Sequence, residues 1–559
     1  MKKIIECVPN FSEGRDMSII KEITDVIESV EGATLLDVDP GAATNRTVVT
    51  FVGEPTVVVE AAFRAIKKAS ELIDMSKHKG EHPRFGATDV CPFVPVANAT
   101  MEECVQCAQE LGKRVGELGI PVYLYENAAT EEKRKNLATV RSGEYEGIAE
   151  KIQKPEWKPD HGPAKFNPKT GNIAISARDF LVAFNVNLNT TSSRRANSIA
   201  FDVREAGRVK RSGDPVTGEI ERDSNGEPIR IPGACKAVKG IGWYIEEFGI
   251  AQISMNLTNI KITPVHKAFD ECVKSANKRG MRVTGSELVG LIPLSAMLDA
   301  GRFFLKKQER STGVSNDELI KIAVKSMGLD DLKPFDPNKN IIEYMVADEN
   351  DNPLIQMDLK AFANETASES PAPGGGSISA YIGALGASLA TMVANLSSHK
   401  RGWDDRWEEF SNWAEKGQSI KDKLLHLVDE DTASFNGIMN AFRLPKGNED
   451  EVAERKKAIE NATKYAIEVP FQVMEVSLHS FELIKTMADI GNPNSVSDAG
   501  VGALCARSAV IGAYLNVKIN IGGLQDKQYG DQKLKEATAM VEKAKQLEGE
   551  VMEIVESKL

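Results

Sequence analysis

The chain has 559 residues, 42% hydrophobic and 27% charged, with a net charge of −12 and seven cysteines. That length accommodates roughly three or four domain-sized units, each able to bury a core, and the composition excludes disordered and fibrous chains. The acidic balance excludes a general nucleic-acid or anionic-membrane binder, and the odd, thinly spread cysteines exclude a disulfide framework and suit a reducing cytoplasm.

From residue 1 to residue 344 strand-like and helix-like runs alternate, an α/β texture. Strands are predicted at residues 3–8, 33–39, 46–52, 91–96 and 122–126, and helices at 56–73 and 100–117. The first run is too short for a secretory signal, so a cytoplasmic protein is expected. Asp37 and Asp39 close one predicted strand, and Asn45 and Arg46 open the next, where α/β sheets place ligands. Asp39-Pro40-Gly41 is also a good turn on chemistry alone.

Residues 76–89 contain His78, Glu81 and His82, spelling the H-x-x-E-H arrangement of some zinc peptidases. Zinc binding there requires both histidines on one continuous helix. Gly80 weakens such a helix and Pro83 drives His82 out of the α region, so a histidine-bearing loop without metal is expected. The bland alternative is a solvated loop with incidental histidines. Cys104 and Cys107 form a lone C-x-x-C on a helical face, without the second pair a tetrahedral zinc would need; packing cysteines are expected.

Residues 157–171, with Pro159, Pro163 and Pro168, have no period and are predicted as loop between two α/β subdomains. A second series follows: a strand at 180–188, a helix, strands at 240–244 and 251–257, and a helix at 264–278. Residues 207–235 are rich in Gly, Pro, Asp and Arg and predict a long, mobile surface insertion. Residues 347–353 are polar, end in proline and predict an exposed connector.

Beyond residue 354 strand alternation disappears and helical periods take over, at 407–440, 450–480 and 533–558, predicting an all-helical domain. The uncharged stretch 373–396 is rich in Gly, Ala and Ser, which suits a buried, closely packed helix and not a membrane span. A similar stretch at 499–517 is expected to pack against it. In residues 419–438, Leu424, Leu427, Val428, Asp431, Phe435 and Ile438 recur at three- and four-residue steps, setting Asp431 in an apolar stripe. Burial raises a carboxyl pKa, which would let Asp431 act as a general acid; a structural carboxylate is the alternative. Asp429 and Glu430 point elsewhere and are expected to be solvated or cap-like. Gly374, Gly375 and Gly376 open the small-residue helix and could offer amides to a ligand, or serve as a hinge.

Residues 6–14, 35–39, 44–47, 73–84 and 240–244 together resemble glutamate formimidoyltransferase, and residues 372–377, 427–431 and 512–517 resemble formimidoyltetrahydrofolate cyclodeaminase. Their order is that of the bifunctional formimidoyltransferase-cyclodeaminase family, and the resemblance covers essentially the whole chain. Residues 207–235 are longer than the vertebrate pattern. The resemblance implies two α/β sandwich subdomains, 1–180 and 181–344, a linker at 345–353 and an all-α cyclodeaminase domain at 354–559. It implies two steps of histidine degradation: transfer of the formimino group from N-formimidoyl-L-glutamate to tetrahydrofolate, then cyclisation of 5-formimidoyltetrahydrofolate to 5,10-methenyltetrahydrofolate with release of ammonia.

The same resemblance makes His82 the transferase's catalytic histidine and Asp431 the deaminase's proton donor. It places folate on Gly162, Pro163, Ala164, Lys165, Phe166, Asn167, Pro168, Lys169, Thr170 and Gly171. Asp39, Arg46, Arg84, Gly374, Gly375 and Gly376 are the further candidate substrate contacts. Tetrahydrofolate, in polyglutamylated form, is the implied co-substrate, small molecules are the only implied ligands, and a ring-like homo-oligomer is implied. The alternatives are a zinc hydrolase, a non-catalytic scaffold, and a helical domain that acts as methenyltetrahydrofolate cyclohydrolase and releases no ammonia.

Overall fold

A computed structural model describes residues 3–42, 44–80, 84–213, 218–347 and 352–559. The chain divides into two units, Met1–Met297 with Val324–Val346, and Leu298–Ala323 with Ala347–Leu559.

The first unit holds two sheets. In the first, β1 (Ile4–Cys7) and β2 (Asn10–Phe11) lie antiparallel between β4 (Arg46–Gly53) and β5 (Thr88–Ala97), and β3 (Thr34–Gly41) pairs with β4. β1 and β2 are one strand broken at Pro9, which has no N–H to give the ladder. β6 (Val122–Glu126) and β7 (Ile173–Ala177) complete the sheet, β7 running parallel to both β5 and β6. The strand β7 changes the expected organisation. The proline-rich loop enters it and so belongs to the first subdomain instead of joining the two.

One face of this sheet is covered by α1 (Met17–Glu28), α2 (Pro55–Leu72) and α3 (Met101–Glu117), which bury Ile23, Ile27, Val58, Ala65, Cys104 and Leu111 with Ile5, Phe51 and Phe93 of the strands. Pro55 opens α2, where the missing N–H costs nothing, and Thr100 with Glu103 forms a capping box on α3. Cys104 and Cys107 are packing residues in this core, and burial pushes their thiols up to about 12 and about 11. The opposite face carries a smaller cluster, in which Phe85, Tyr123 and Tyr125 meet Val140 and Ile148 from α4 (Leu137–Val140) and α5 (Glu144–Lys151).

The second sheet is antiparallel, ordered β11 (Val238–Ile245), β12 (Ile250–Leu257), β8 (Val182–Leu188), β13 (Val283–Val289). Helices α6 (Ser193–Val203) and α7 (Val265–Asn277) accompany it. Of the segment expected to be a mobile insertion, residues 214–217 lie outside the described residues, and the described ones form an antiparallel ribbon, β9 (Arg208–Val209) with β10 (Arg230–Ile231), continued by bridges between Arg211 and Ile220 and between Arg222 and Pro228. Helices α8 (Leu294–Lys307) and α9 (Asn316–Met327) follow, then the short α10 (Pro337–Asn340) and α11 (Ile342–Met345). Residues Leu298–Ala323 cluster with the second unit. Of the expected connector, residues 348–351 lie outside the described residues.

The second unit is helical: α12 (Leu359–Thr366), α13 (Gly375–Ser398), α14 (Trp407–Arg443), α15 (Glu449–Ile490), α16 (Val496–Ile521) and α17 (Lys527–Glu556). The helix Gly375–Ser398 and the segment Pro493–Ile521 are long and apolar enough to cross a membrane by length and composition. They pack on each other through small residues: a Cβ on Gly386 would stand 2.8 Å from the Gly502 carbonyl, and one on Gly512 would stand 2.3 Å from Ser379 Oγ. α15 continues past the buried Pro470. The carbonyl that Pro470 leaves without a helical partner, that of Ala466, accepts the side-chain amide of Asn520 at 2.7 Å.

Two candidate active sites

In the first unit the described parts of the loop 73–87 meet the loop 162–171. The loop is not helical over residues 75–80, as Gly80 and Pro83 predict. Gly80 is required there, because a Cβ would lie 2.1 Å from the Thr44 carbonyl. Asn45, buried at φ 49°, ties the region together. Its Oδ1 accepts from the Gly14 amide at 3.0 Å, its Nδ2 donates to the Lys79 carbonyl at 3.0 Å, and its own carbonyl takes His78 Nε2 at 2.8 Å. The buried His78 is thereby tied to the backbone through Nε2. Glu81, His82 and Pro83 lie outside the described residues.

The two loops are stitched by backbone bonds, Met75 N–H to the Lys169 carbonyl at 2.9 Å and Ala87 N–H to the Thr170 carbonyl at 2.8 Å. Gly171 faces Phe85 so closely that a Cβ would meet its carbonyl at 2.5 Å. Asn167 shapes the loop by accepting the Lys169 amide at 3.0 Å. Phe166 packs on the Tyr145 ring at 5.5 Å, while Gly162, Pro163, Ala164, Lys165 and Pro168 are exposed. Lys169 Nζ reaches the Glu71 carbonyl at 2.9 Å. Of the further candidates, Arg84 pairs with Glu146 and lies 5.0 Å from the Tyr145 ring centroid. Asp39 is exposed inside β3, which continues to Gly41, so it does not close a strand. The Asp39-Pro40-Gly41 turn is absent because Pro40 pairs with Thr47 and Gly41 with Arg46.

Arg46 bonds Asn10 and lies 3.8 Å from Asp89, which is also paired with Arg141. Asp89 and Arg141 escaped sequence reading, because neither stands in a motif or breaks a period.

In the second unit Asp431 lies on α14 against the first turn of α13. Its Oδ2 accepts the Ser377 amide at 2.9 Å and lies 3.3 Å from the Ser377 hydroxyl, which itself donates to the Val428 carbonyl at 2.8 Å. Gly376 makes the approach possible: a Cβ there would sit 2.1 Å from Asp431 Oδ1. Burial raises the Asp431 pKa against the lowering effect of both Ser377 bonds. Gly375 lies beside Asn516, whose side-chain amide would be 3.4 Å from a Cβ on the glycine. Gly374 is the N-cap of α13.

Of the two alternatives expected for Asp429, solvated or cap-like, the second holds: it is buried and caps the Leu354 and Ile355 amides at 2.8 and 3.2 Å. Phe435, in the same predicted stripe, is 43% exposed, because α14 runs on past the beginning of α13. Glu430 meets Tyr465, whose hydroxyl is pushed up to about 12 by burial and by that carboxylate, and stands 3.6 Å from His426 Nε2.

Family models match nearly the full length: formiminotransferase domain, N-terminal subdomain, over residues 4–178; formiminotransferase domain over 183–347; and formiminotransferase-cyclodeaminase over 358–539. The formimidoyltransferase-cyclodeaminase of Gallus gallus is 43% identical, covering 100% of both chains. The glutamate formimidoyltransferase of Streptococcus pyogenes serotype M1 is 42% identical over 55% of this chain and 95% of its own. The methenyltetrahydrofolate cyclohydrolase of Methylorubrum extorquens is 34% identical over 36% of this chain and 97% of its own. With a relative matched from end to end and each part of the chain matched by a family model in the same order, the chain belongs to the formimidoyltransferase-cyclodeaminase family.

Proposed function

We propose that this chain moves the formimino group of N-formimidoyl-L-glutamate to N5 of tetrahydrofolate in its first unit, then closes the product to 5,10-methenyltetrahydrofolate in its second. It is a transferase and an ammonia-releasing lyase on one polypeptide. The observation that carries the second activity is Asp431, a carboxyl lodged against a helix start with its pKa raised by burial.

In the transfer step N5 attacks the formimino carbon and loses its proton, and the glutamate nitrogen leaves with one. His82 serves both needs, as acceptor first and donor second. The loop 162–171 holds the folate, and its position beside the loop 73–87 supports that reading. In the second step N10 attacks the same carbon and protonated Asp431 gives its proton to the leaving nitrogen. The proton lost by N10 restores the carboxyl, so the cycle closes without a metal. Polyglutamylated tetrahydrofolate is the form proposed as co-substrate, since its anionic tail suits local basic residues such as Lys165 in an acidic chain. Homo-oligomeric assembly and a cytoplasmic location complete the proposal.

The test supplies tetrahydrofolate and N-formimidoylglutamate and follows methenyl-folate absorbance and ammonia. His82→Ala is expected to lower formimino transfer by about 10²–10⁴-fold while 5-formimidoyltetrahydrofolate supplied directly is still cyclised. Asp431→Ala should do the reverse. Equal loss of both steps in either variant would defeat the two-site assignment. The likeness to a methenyltetrahydrofolate cyclohydrolase favours one alternative for the second unit, and that activity would consume methenyl-folate without ammonia.

A further inference from the structure

Ser377 is the third residue of α13, and its side chain is buried. Three oxygens lie within reach of its hydroxyl: the Val428 carbonyl at 2.8 Å, Asp431 Oδ2 at 3.3 Å and Thr432 Oγ1 at 3.4 Å. A hydroxyl has one proton to give. It serves the Val428 carbonyl or the Asp431 carboxyl, never both at once.

The two protonation states of Asp431 choose differently. Oδ2 accepts the Ser377 amide at 2.9 Å, and in a protonated carboxyl the carbonyl oxygen is the better acceptor. The acid proton therefore sits on Oδ1, which lies 2.1 Å from where a Cβ on Gly376 would stand. Oδ2 then already has its donor, and the nearer Val428 carbonyl takes the hydroxyl proton. Once Asp431 is ionised Oδ2 carries charge, and a hydrogen bond to a charged oxygen is roughly twice as strong as one to a neutral oxygen. The hydroxyl now gains by turning to Oδ2. Turning orphans nothing, because Val428 lies inside α14 and its carbonyl keeps the helical bond from the Thr432 amide.

The charged groups nearby are engaged elsewhere. Asp429 is held by the Leu354 and Ile355 amides, Glu430 meets Tyr465 and His426, and α16 presents the neutral Asn516 beside Gly375. Burial moves the Asp431 pKa up, and the two bonds from Ser377 move it down.

We propose that Ser377 is a positioning residue for ammonia release: its hydroxyl donates to the Val428 carbonyl while Asp431 is protonated and turns to Oδ2 as that proton goes to the leaving nitrogen. The turn breaks no O–H bond. The one proton transferred by the carboxyl is its own, and the hydroxyl steadies the carboxylate left behind until the proton from N10 restores it. The proposal rests on the reading of Asp431 as the proton donor.

The experiment supplies 5-formimidoyltetrahydrofolate to the full chain and follows ammonia release across pH for the parent, Ser377→Ala and Ser377→Cys. Without the hydroxyl the ionised carboxyl loses a donor, so the limb on which kcat falls with rising pH moves up by about half to one pH unit. The low-pH plateau drops about three- to tenfold, because Asp431 is then the weaker acid. The loss in Ser377→Ala is therefore greatest on the plateau and narrows to within about twofold at high pH. Cysteine, of similar size with a weaker donor, gives a smaller change in the same direction. In either variant with parental melting temperature and formimino transfer, a loss by the same factor at every pH is the mark of a merely structural role and would overturn the proposal. A parental profile in both would do the same. Asp431→Asn is measured first, since parental ammonia release there would overturn the reading of Asp431 itself, independently of Ser377.

Discussion

Gly376→Ala is expected to stop ammonia release with little loss of stability. The added Cβ would lie 2.1 Å from Oδ1, 2.4 Å from Cγ and 2.5 Å from Oδ2 of Asp431, well inside van der Waals contact. The backbone of α13 is fixed by packing on α14 and α16, whereas the carboxyl can rotate, so the carboxyl yields. Rotation takes it off the Ser377 amide and away from its proton-delivery position. Displacement of a reacting group by about 1 Å costs on the order of 10²-fold in rate. Stability should change by no more than about 1 kcal/mol, since alanine favours a helical position over glycine and offsets part of the contact strain. The measurement is ammonia release from supplied 5-formimidoyltetrahydrofolate, alongside thermal unfolding and formimino transfer. A deaminase rate within twofold of the parent would show that the close approach of Gly376 and Asp431 has no catalytic meaning.

The pairing of Gly376 with Asp431 also marks where sequence reading stops. Periodicity identified the α14 stripe and set Asp431 within it, because a face repeats every 3.6 residues whatever it packs against. It could not know that α13 begins beside Asp431, leaving Phe435 without that cover, or that Asp429 is claimed by two amides some 75 residues earlier. Composition separated the α/β half from the helical one, yet β7 was hidden: Ile173-Ala-Ile-Ser-Ala177 is short, and its parallel partners lie far away in sequence. The non-helical course of residues 75–80 was legible because Gly80 speaks for itself locally. The pairing of Arg141 was not, since it depends on a carboxylate 52 positions away.

Raising the pH should slow the deaminase through Asp431, and Asp431→Asn should trade that activity for stability. Burial lifts the folded-state pKa of Asp431 above its ordinary 3.8. The folded chain therefore binds this proton more tightly than the unfolded chain does. The stabilising contribution is fully present below 3.8 and is lost as pH rises through the folded value, where the carboxylate must be carried ionised in a poorly hydrated place. The protonated form is also the one that can protonate the leaving nitrogen, so kcat for cyclisation falls about tenfold per pH unit once the folded pKa is passed, as far as Asp431 protonation limits the rate. Asparagine keeps an oxygen for the Ser377 amide but has no acid proton and never ionises. Asp431→Asn should thus lose about 10²–10⁴-fold in ammonia release while its melting temperature gains on the parent as pH is raised from 4 to 7. Paired thermal unfolding at both pH values, with the pH profile of the parent's ammonia release, checks both halves. A melting-temperature difference that shrank with rising pH would mean that the folded protein prefers Asp431 ionised, and would remove it as the proton donor.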